Sequence, residues 1–243
     1  MTSYLCGIFL ALLSTLPLAA FQLPSSSSQC LVGVADHWDS SHVRLTLYEK
    51  KAGKWTAVAA PWEGRLGKKG LIWGRGIHPN PAGASTKKEG DLRSPAGVFT
   101  LGGAWGYATS IKKHPKLPYR QVTPRDLWVE DPDSPSYNRN VILNHDPITK
   151  WEKKQQMHQD DPVHSLKLFI NHNAAPAIIP GAGSSIFFHI WRGGGSKPTA
   201  GCTTMSEAKL KWLIARIDPT RRPLFVLLPK AEYEKYRRPW KLP

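Results

Sequence analysis

Acidic side chains are scarce in this sequence: 18 Asp and Glu stand against 33 Lys and Arg, a formal net charge of +15. That excludes an acidic solvating chain and points towards anionic partners. Cysteine is scarce too, at three residues, and no CxxC pair or HExxH motif occurs, so the usual zinc signatures are absent. Neither the segment 64–70 (GRLGKKG) nor Gly193-Gly194-Gly195 has the Gly, Lys and Ser/Thr spacing of a phosphate loop. Internal repeats are lacking, and beyond residues 1–20 there is no apolar run long enough to span a bilayer. Neither a zinc site nor a phosphate loop is signalled. Aromatics, by contrast, are plentiful, with 10 Trp and 41% hydrophobic residues. A disordered, collagen-like or coiled-coil chain is therefore excluded. The 21 Pro and 20 Gly favour turns and long loops, hence a mainly β class.

Residues 1–20 carry no charge and combine an apolar run with a small-residue end at Ala19-Ala20, the pattern of a secretory signal peptide. On that reading 1–20 is the signal, the Ser-rich stretch 21–29 a flexible leader, and 30–243 one domain exported to the periplasm or cell wall. No stable membrane insertion is expected after signal removal. Cys6 leaves with the signal, and Cys30 and Cys202 are free to pair in an oxidising compartment. Export directs the positive charge towards cell-wall glycans, other anionic wall polymers or lipid headgroups, and away from nucleic acid.

Strands are expected at 30–36, 43–50 and 54–62, followed by a long loop over 64–96. A short strand is expected at 98–101 and loops over 112–147. The runs 166–172 and 184–190, apolar with β-branched and aromatic residues, read as central buried strands, and 223–229 as a last one. A helix starts after Ser206, with Leu210, Leu213, Ile214 and Ile217 on one face, and ends at Asp218-Pro219. The basic tail beyond 229 is expected to be exposed.

The constellation that carries chemistry is 189–205. His189 ends a strand, a Gly-rich loop follows, and Thr199-Ala200-Gly201-Cys202 leads towards the helix. A thiol near a helix N-terminus gains thiolate character, an imidazole can take and return its proton, and Gly201 lets backbone N–H groups approach a developing oxyanion. The blander reading of the same residues is a small buried Cys and a satisfied core His. Asn171-His172-Asn173 is placed to line the same cleft or simply to end its strand. His37, His42 and His145 read as structural or surface residues. Trp38, Trp62, Trp73, Trp105, Trp151 and Trp191 are core residues or platforms for sugars.

With His189 upstream, Thr199-Ala200-Gly201-Cys202 resembles the active-site motif of the YkuD-type L,D-transpeptidase catalytic domain, whose form is Ser/Thr-His-Gly-Cys. A second segment, Lys88-Glu89-Gly90-Asp91 followed by Ser94-Pro95-Ala96-Gly97-Val98-Phe99, is similar to the family's conserved stretch before a core strand. The likeness spans about residues 65–229. Ala200 replaces the usual His, Thr204 the usual Arg or Asn, and the spacer after His189 is short. The resemblance implies a β-sandwich-like catalytic domain with one prominent helix after the nucleophile and long loops. It implies Cys202, His189 and Gly201 as catalytic residues and no cofactor. Arg192, Thr199, Trp191 and His172 are then substrate-binding candidates, with Arg192 or Lys197 supplying the missing charge. The implied donor is a peptidoglycan stem peptide, acylating Cys202 as a thioester that an amine resolves. Hydrolysis by the same site, or a non-catalytic basic wall-binding module, are the alternatives.

Overall fold

The computed structural model describes residues 21–243; the expected signal peptide lies outside them. Strands β1 (Gln29–Ala35), β2 (His42–Lys51), β3 (Lys54–Ala57), β4 (Trp62–Arg65), β5 (Leu71–Trp73), β6 (Ser94–Gly106), β7 (Tyr119–Gln121), β8 (Asp126–Trp128) and β9 (Asn140–Ile142) precede helix α1 (Lys150–Gln155). Strands β10 (Leu166–Ile170), β11 (Phe187–Ile190) and β12 (Thr203–Met205), helix α2 (Glu207–Ile214), strand β13 (Leu224–Pro229) and helix α3 (Lys230–Arg237) follow.

The main sheet runs β1-β13-β6-β10-β11-β12-β4-β2, and β1 also pairs with β2, so it closes on itself. The mainly β class holds, and the sandwich-like layers are joined at both edges into a barrel, which leaves few unpaired edges. Alternation along β10 and β11 divides their side chains between two environments. Leu168 and Phe188 enter the barrel core with Phe99 and Val226. Phe169 and Phe187 point the other way, into a second cluster with Trp128, Val122 and Met157. These strands are covered on both faces, which is why they read as unbroken apolar runs.

The cover over the second cluster is the segment 107–164, of which 112–147 is the part expected as loop. It is mostly loop but contains β7, and β8 paired with β9. Asp126 anchors it from a fully buried position. Its carboxylate accepts from the Thr123 N–H at 3.0 Å and hydroxyl at 2.8 Å, and pairs with Arg120.

Several expectations are corrected. The stretch 64–96 holds the end of β4, all of β5 and the start of β6, and β6 is a 13-residue strand rather than a four-residue one. Its Gly and Pro residues hide the periodicity because the backbone is closely approached there; a Cβ on Gly76 would lie 2.0 Å from the Val98 carbonyl oxygen. Residues 184–186 precede β11 rather than belong to it. The leader is packed: Leu23 is buried, its N–H donates to the Trp240 carbonyl at 2.9 Å, and Phe21 meets Trp240 edge-on. The tail folds back as α3, burying Trp240 and Leu242. Among the described residues, no helix is long and apolar enough to cross a membrane.

Candidate active site

Register alone places the site. On the outer face, Lys167 of β10 is paired with His189 of β11, which is paired with Thr204 of β12. One step along, Phe169 pairs with Phe187, and Cys202 lies just before Thr203, the partner of Phe188. Cys202 therefore follows Phe187 on this face and is, by register, a diagonal neighbour of His189. A cleft of about 400 Å³ opens over these residues, lined by Cys202, His189, His164, Lys167, Arg192 and Lys197 among others.

The nucleophile loop is braced from two directions. The Thr199 hydroxyl donates to the Cys202 carbonyl at 2.7 Å and accepts from the Gly201 N–H at 3.0 Å. Ser94 donates its hydroxyl to the same Cys202 carbonyl at 3.2 Å and accepts from the Gly67 N–H. The second sequence motif thus touches the first. In that motif Asp91 gathers the Lys87 ammonium at 2.5 Å and the N–H groups of Lys88 and Arg93, while Glu89 accepts from the Ser184 hydroxyl at 2.8 Å and from Tyr137. Replacing Thr199 by valine leaves the Gly201 N–H and the Cys202 carbonyl short of a partner. A stability loss of about 1–3 kcal/mol is expected, read by denaturant unfolding; a change too small to measure would show that the brace is dispensable.

Cys202 Sγ donates to the Ser185 carbonyl at 3.3 Å and accepts from the Phe187 N–H at 3.4 Å. Burial pushes its thiol up to about 11, against the pull of the Phe187 N–H and Lys167. The expected thiolate at a helix start is therefore corrected to a resting thiol. β12 lies between Cys202 and α2, so the helix dipole acts at the far end of a strand. The β-branched Thr203 and Thr204 explain why sheet pairing continues there. The Gly201 N–H is committed to the Thr199 hydroxyl, and a glycine is required there by a φ of +155° and by the Arg93 carbonyl oxygen, 3.0 Å from where a Cβ would sit. Cys30 and Cys202 are both free thiols, Cys30 fully buried in the barrel core.

His189 is buried, with Nδ1 2.9 Å from the Ile190 carbonyl oxygen. A carbonyl only accepts, so Nδ1 carries the hydrogen and Nε2 is the basic nitrogen. Burial holds the imidazole down to about 4, helped by Lys167 and Arg192 and opposed by the carbonyls of Ile190 and Val163. His164 packs on it with ring centroids 4.7 Å apart, and its Nδ1 has no hydrogen-bond partner. Burial, then the neighbouring His189 and Lys167, lower it to about 3.

Arg192 lines the cleft and pairs with Asp161, Lys197 lines it as well, and Thr199 serves there as the brace. Two candidates do not line it. Trp191 packs on the Gly-rich turn at Gly195, and His172 is fully buried, its Nδ1 accepting from the Arg75 N–H and its Nε2 donating to the Ala182 carbonyl. Burial lowers His172 to about 3. His189, His164 and His172 are thus all held neutral below the ordinary 6.5. The unfolded chain takes up these protons first, so stability is full above pH 6.5 and falls as acid is added through about pH 4 towards 3. Melting temperatures measured from pH 7 to 4 should decline steadily; a flat profile would contradict neutral burial.

Sequence reasoning missed Lys167 and His164. Lys167 left a signal, as the one charged residue inside the apolar run 166–170. His164 left none, since it reaches the cleft from a short turn after a loop. Among the described residues no group of three or more His, Cys, Asp or Glu is arranged to hold a metal.

The structure thus has a closed β-barrel with a cleft on its outer face that Cys202 and His189 both line. The family model for the L,D-transpeptidase catalytic domain, YkuD, matches residues 39–226. The chain belongs to that family. Of curated proteins, none matches. Two solved structures are similar at 15% identity: the helical cell shape determining protein Pgp2 from Campylobacter jejuni, with a TM-score of 0.40, and its K307A mutant, with 0.38. Each alignment covers 87% of this chain, which spans about half of Pgp2, 51% and 50% respectively.

Proposed function

We propose that this chain is an exported cysteine acyltransferase acting on peptidoglycan stem peptides as an L,D-transpeptidase. The observation that carries the reading is the placement of Cys202 and His189 on one sheet face in one cleft, with the Cys loop braced by Ser94 of the second family motif. As Sγ attacks the donor carbonyl, its proton passes to His189 Nε2, which is unprotonated at neutral pH. The C–N bond to the terminal D-alanine breaks, and the imidazolium returns the proton to the leaving amine. A thioester on Cys202 remains. An incoming amine then loses its proton to His189 and displaces the thiolate, giving a crosslink; water in its place gives a shortened stem. The Phe187 N–H is directed at Sγ and steadies the thiolate at both steps. The net positive charge suits an anionic wall, in the periplasm or outside the cell.

The test is mass spectrometry of residues 21–243 incubated with disaccharide-tetrapeptide. Loss of alanine or formation of a dimer, absent with Cys202→Ala, supports the reading, and the product identifies the acceptor as amine or water. No turnover by a folded protein would reject this substrate; Cys202 bridged to Cys30 would then favour a wall-binding role, and a free, reactive Cys202 a different acyl donor.

A further inference from the structure

The least explained group in the cleft is Lys167. Its side chain stands in a strand whose other residues are all apolar, and it is 5% exposed. An ammonium has three donors, and one is used here, to the Met157 carbonyl at 3.2 Å. Among the described residues it has no carboxylate within ion-pair distance: Arg192 takes Asp161, Lys87 takes Asp91, and Glu89 is held by Ser184 and Tyr137. A buried, unpaired cation is costly unless an anion comes to it. The nitrogen lies over the Phe187 ring, 5.8 Å from its centroid, and the Phe187 N–H is the donor to Cys202 Sγ. The register already puts Lys167, His189 and Cys202 on one face of the same cleft.

We propose that Lys167 supplies the counter-charge for the Cys202 thiolate, so that the developing anion is balanced by a resident ammonium and His189 is left neutral between turnovers. It acts on Sγ through charge across the cleft. The proposal rests on Cys202 being the nucleophile and on nothing about the substrate. The charged and titratable groups facing the pair are Glu130, Asp161, His164, His189, Arg192 and Lys87. Glu130 and Asp161 favour the ammonium, and Lys87 favours the thiolate. The two imidazoles are held neutral in part by Lys167 itself. Burial lowers the lysine to about 8, against the pull of Cys202 and Glu130, so it is charged at pH 7 and discharges just above.

The experiment is the rate of Cys202 alkylation by iodoacetamide between pH 6 and 10, without peptidoglycan, in the wild type, Lys167→Met and Lys167→Arg. The Met variant should react about tenfold more slowly at pH 7, the equivalent of one pKa unit in the thiol. Its deficit should close above pH 8 as the wild-type lysine discharges. The Arg variant should match the wild type at pH 7 and overtake it above pH 8, because a guanidinium stays charged. Equal rates for Met and wild type at pH 7, or a ratio constant across the range, would overturn the proposal. If the Met variant does not fold, the Arg profile decides, and one parallel to the wild type rejects it. An unchanged alkylation profile with a raised KM for disaccharide-tetrapeptide would instead assign Lys167 to a substrate carboxylate. Because the probe is not a substrate, failure of this inference and failure of the transpeptidase reading are separately visible.

Discussion

Cys202→Ala is expected to abolish turnover of disaccharide-tetrapeptide, by about 10⁴-fold or more, while leaving the fold intact. Cys202 as a residue is only partly buried, and its thiol makes two weak hydrogen bonds, to Ser185 and from Phe187. Removing it therefore takes little from stability and everything from covalent catalysis. His189→Gln is expected to lower turnover by about 10²–10⁴-fold, the range for a lost general base. The double variant should be little worse than Cys202→Ala alone, because the two groups act as a unit. Kinetics on the three variants checks this. Additive losses would mean that His189 contributes somewhere other than at Sγ, and retained activity in Cys202→Ala would remove the nucleophile from the account.

The second large effect is structural. Gly97 lies in β6 with φ +134°, and a Cβ there would sit 1.8 Å from His78 Cε1 and 2.2 Å from its Nε2. His78 cannot yield. It is buried, its Nδ1 accepts from the Val98 N–H at 3.0 Å, and its ring is packed among Trp73, Phe99 and Trp240. Gly97→Ala should therefore cost at least about 3 kcal/mol through overpacking and backbone strain. For a chain of this size that lowers the melting temperature by about 6–12 °C. Thermal unfolding checks it, and a shift under about 2 °C would show that β6 and His78 can move apart. The glycine of the Ser94–Phe99 motif thus reads as a packing requirement, while Ser94 of the same motif reaches the nucleophile loop.

Much of this was legible in the chain. The apolar runs 166–172 and 223–229 and the 3.6-residue spacing of Leu210, Leu213 and Ile214 report directly on burial, and they became β10, β13 and α2. Cys202 and His189 could be singled out as candidates because the motif fixes their types and order, and both line the cleft. Closure of the sheet was not legible, since it needs the β1–β13 pairing, which joins segments from opposite ends of the described chain, and the β12–β4 pairing, which spans more than a hundred residues. Nor was the packing of the tail, because Trp240 and Leu242 are isolated apolar residues whose burial depends on where Phe21 and Leu23 return. Thr203-Thr204-Met205 carries too few residues to show a period, so the strand between Cys202 and the helix was missed, and with it the state of the thiol. Trp191 and His172 sit close in sequence to cleft residues, but Trp191 packs on Gly195 and His172 is buried between Arg75 and Ala182. Proximity along the chain says nothing of that.

The most direct test of the central claim is intact-protein mass spectrometry of residues 21–243 quenched during turnover of disaccharide-tetrapeptide. The account predicts an added mass equal to the donor less alanine, located on the Cys202 peptide and released by hydroxylamine as a thioester should be. Release of alanine with no adduct, undiminished in Cys202→Ala, would contradict it.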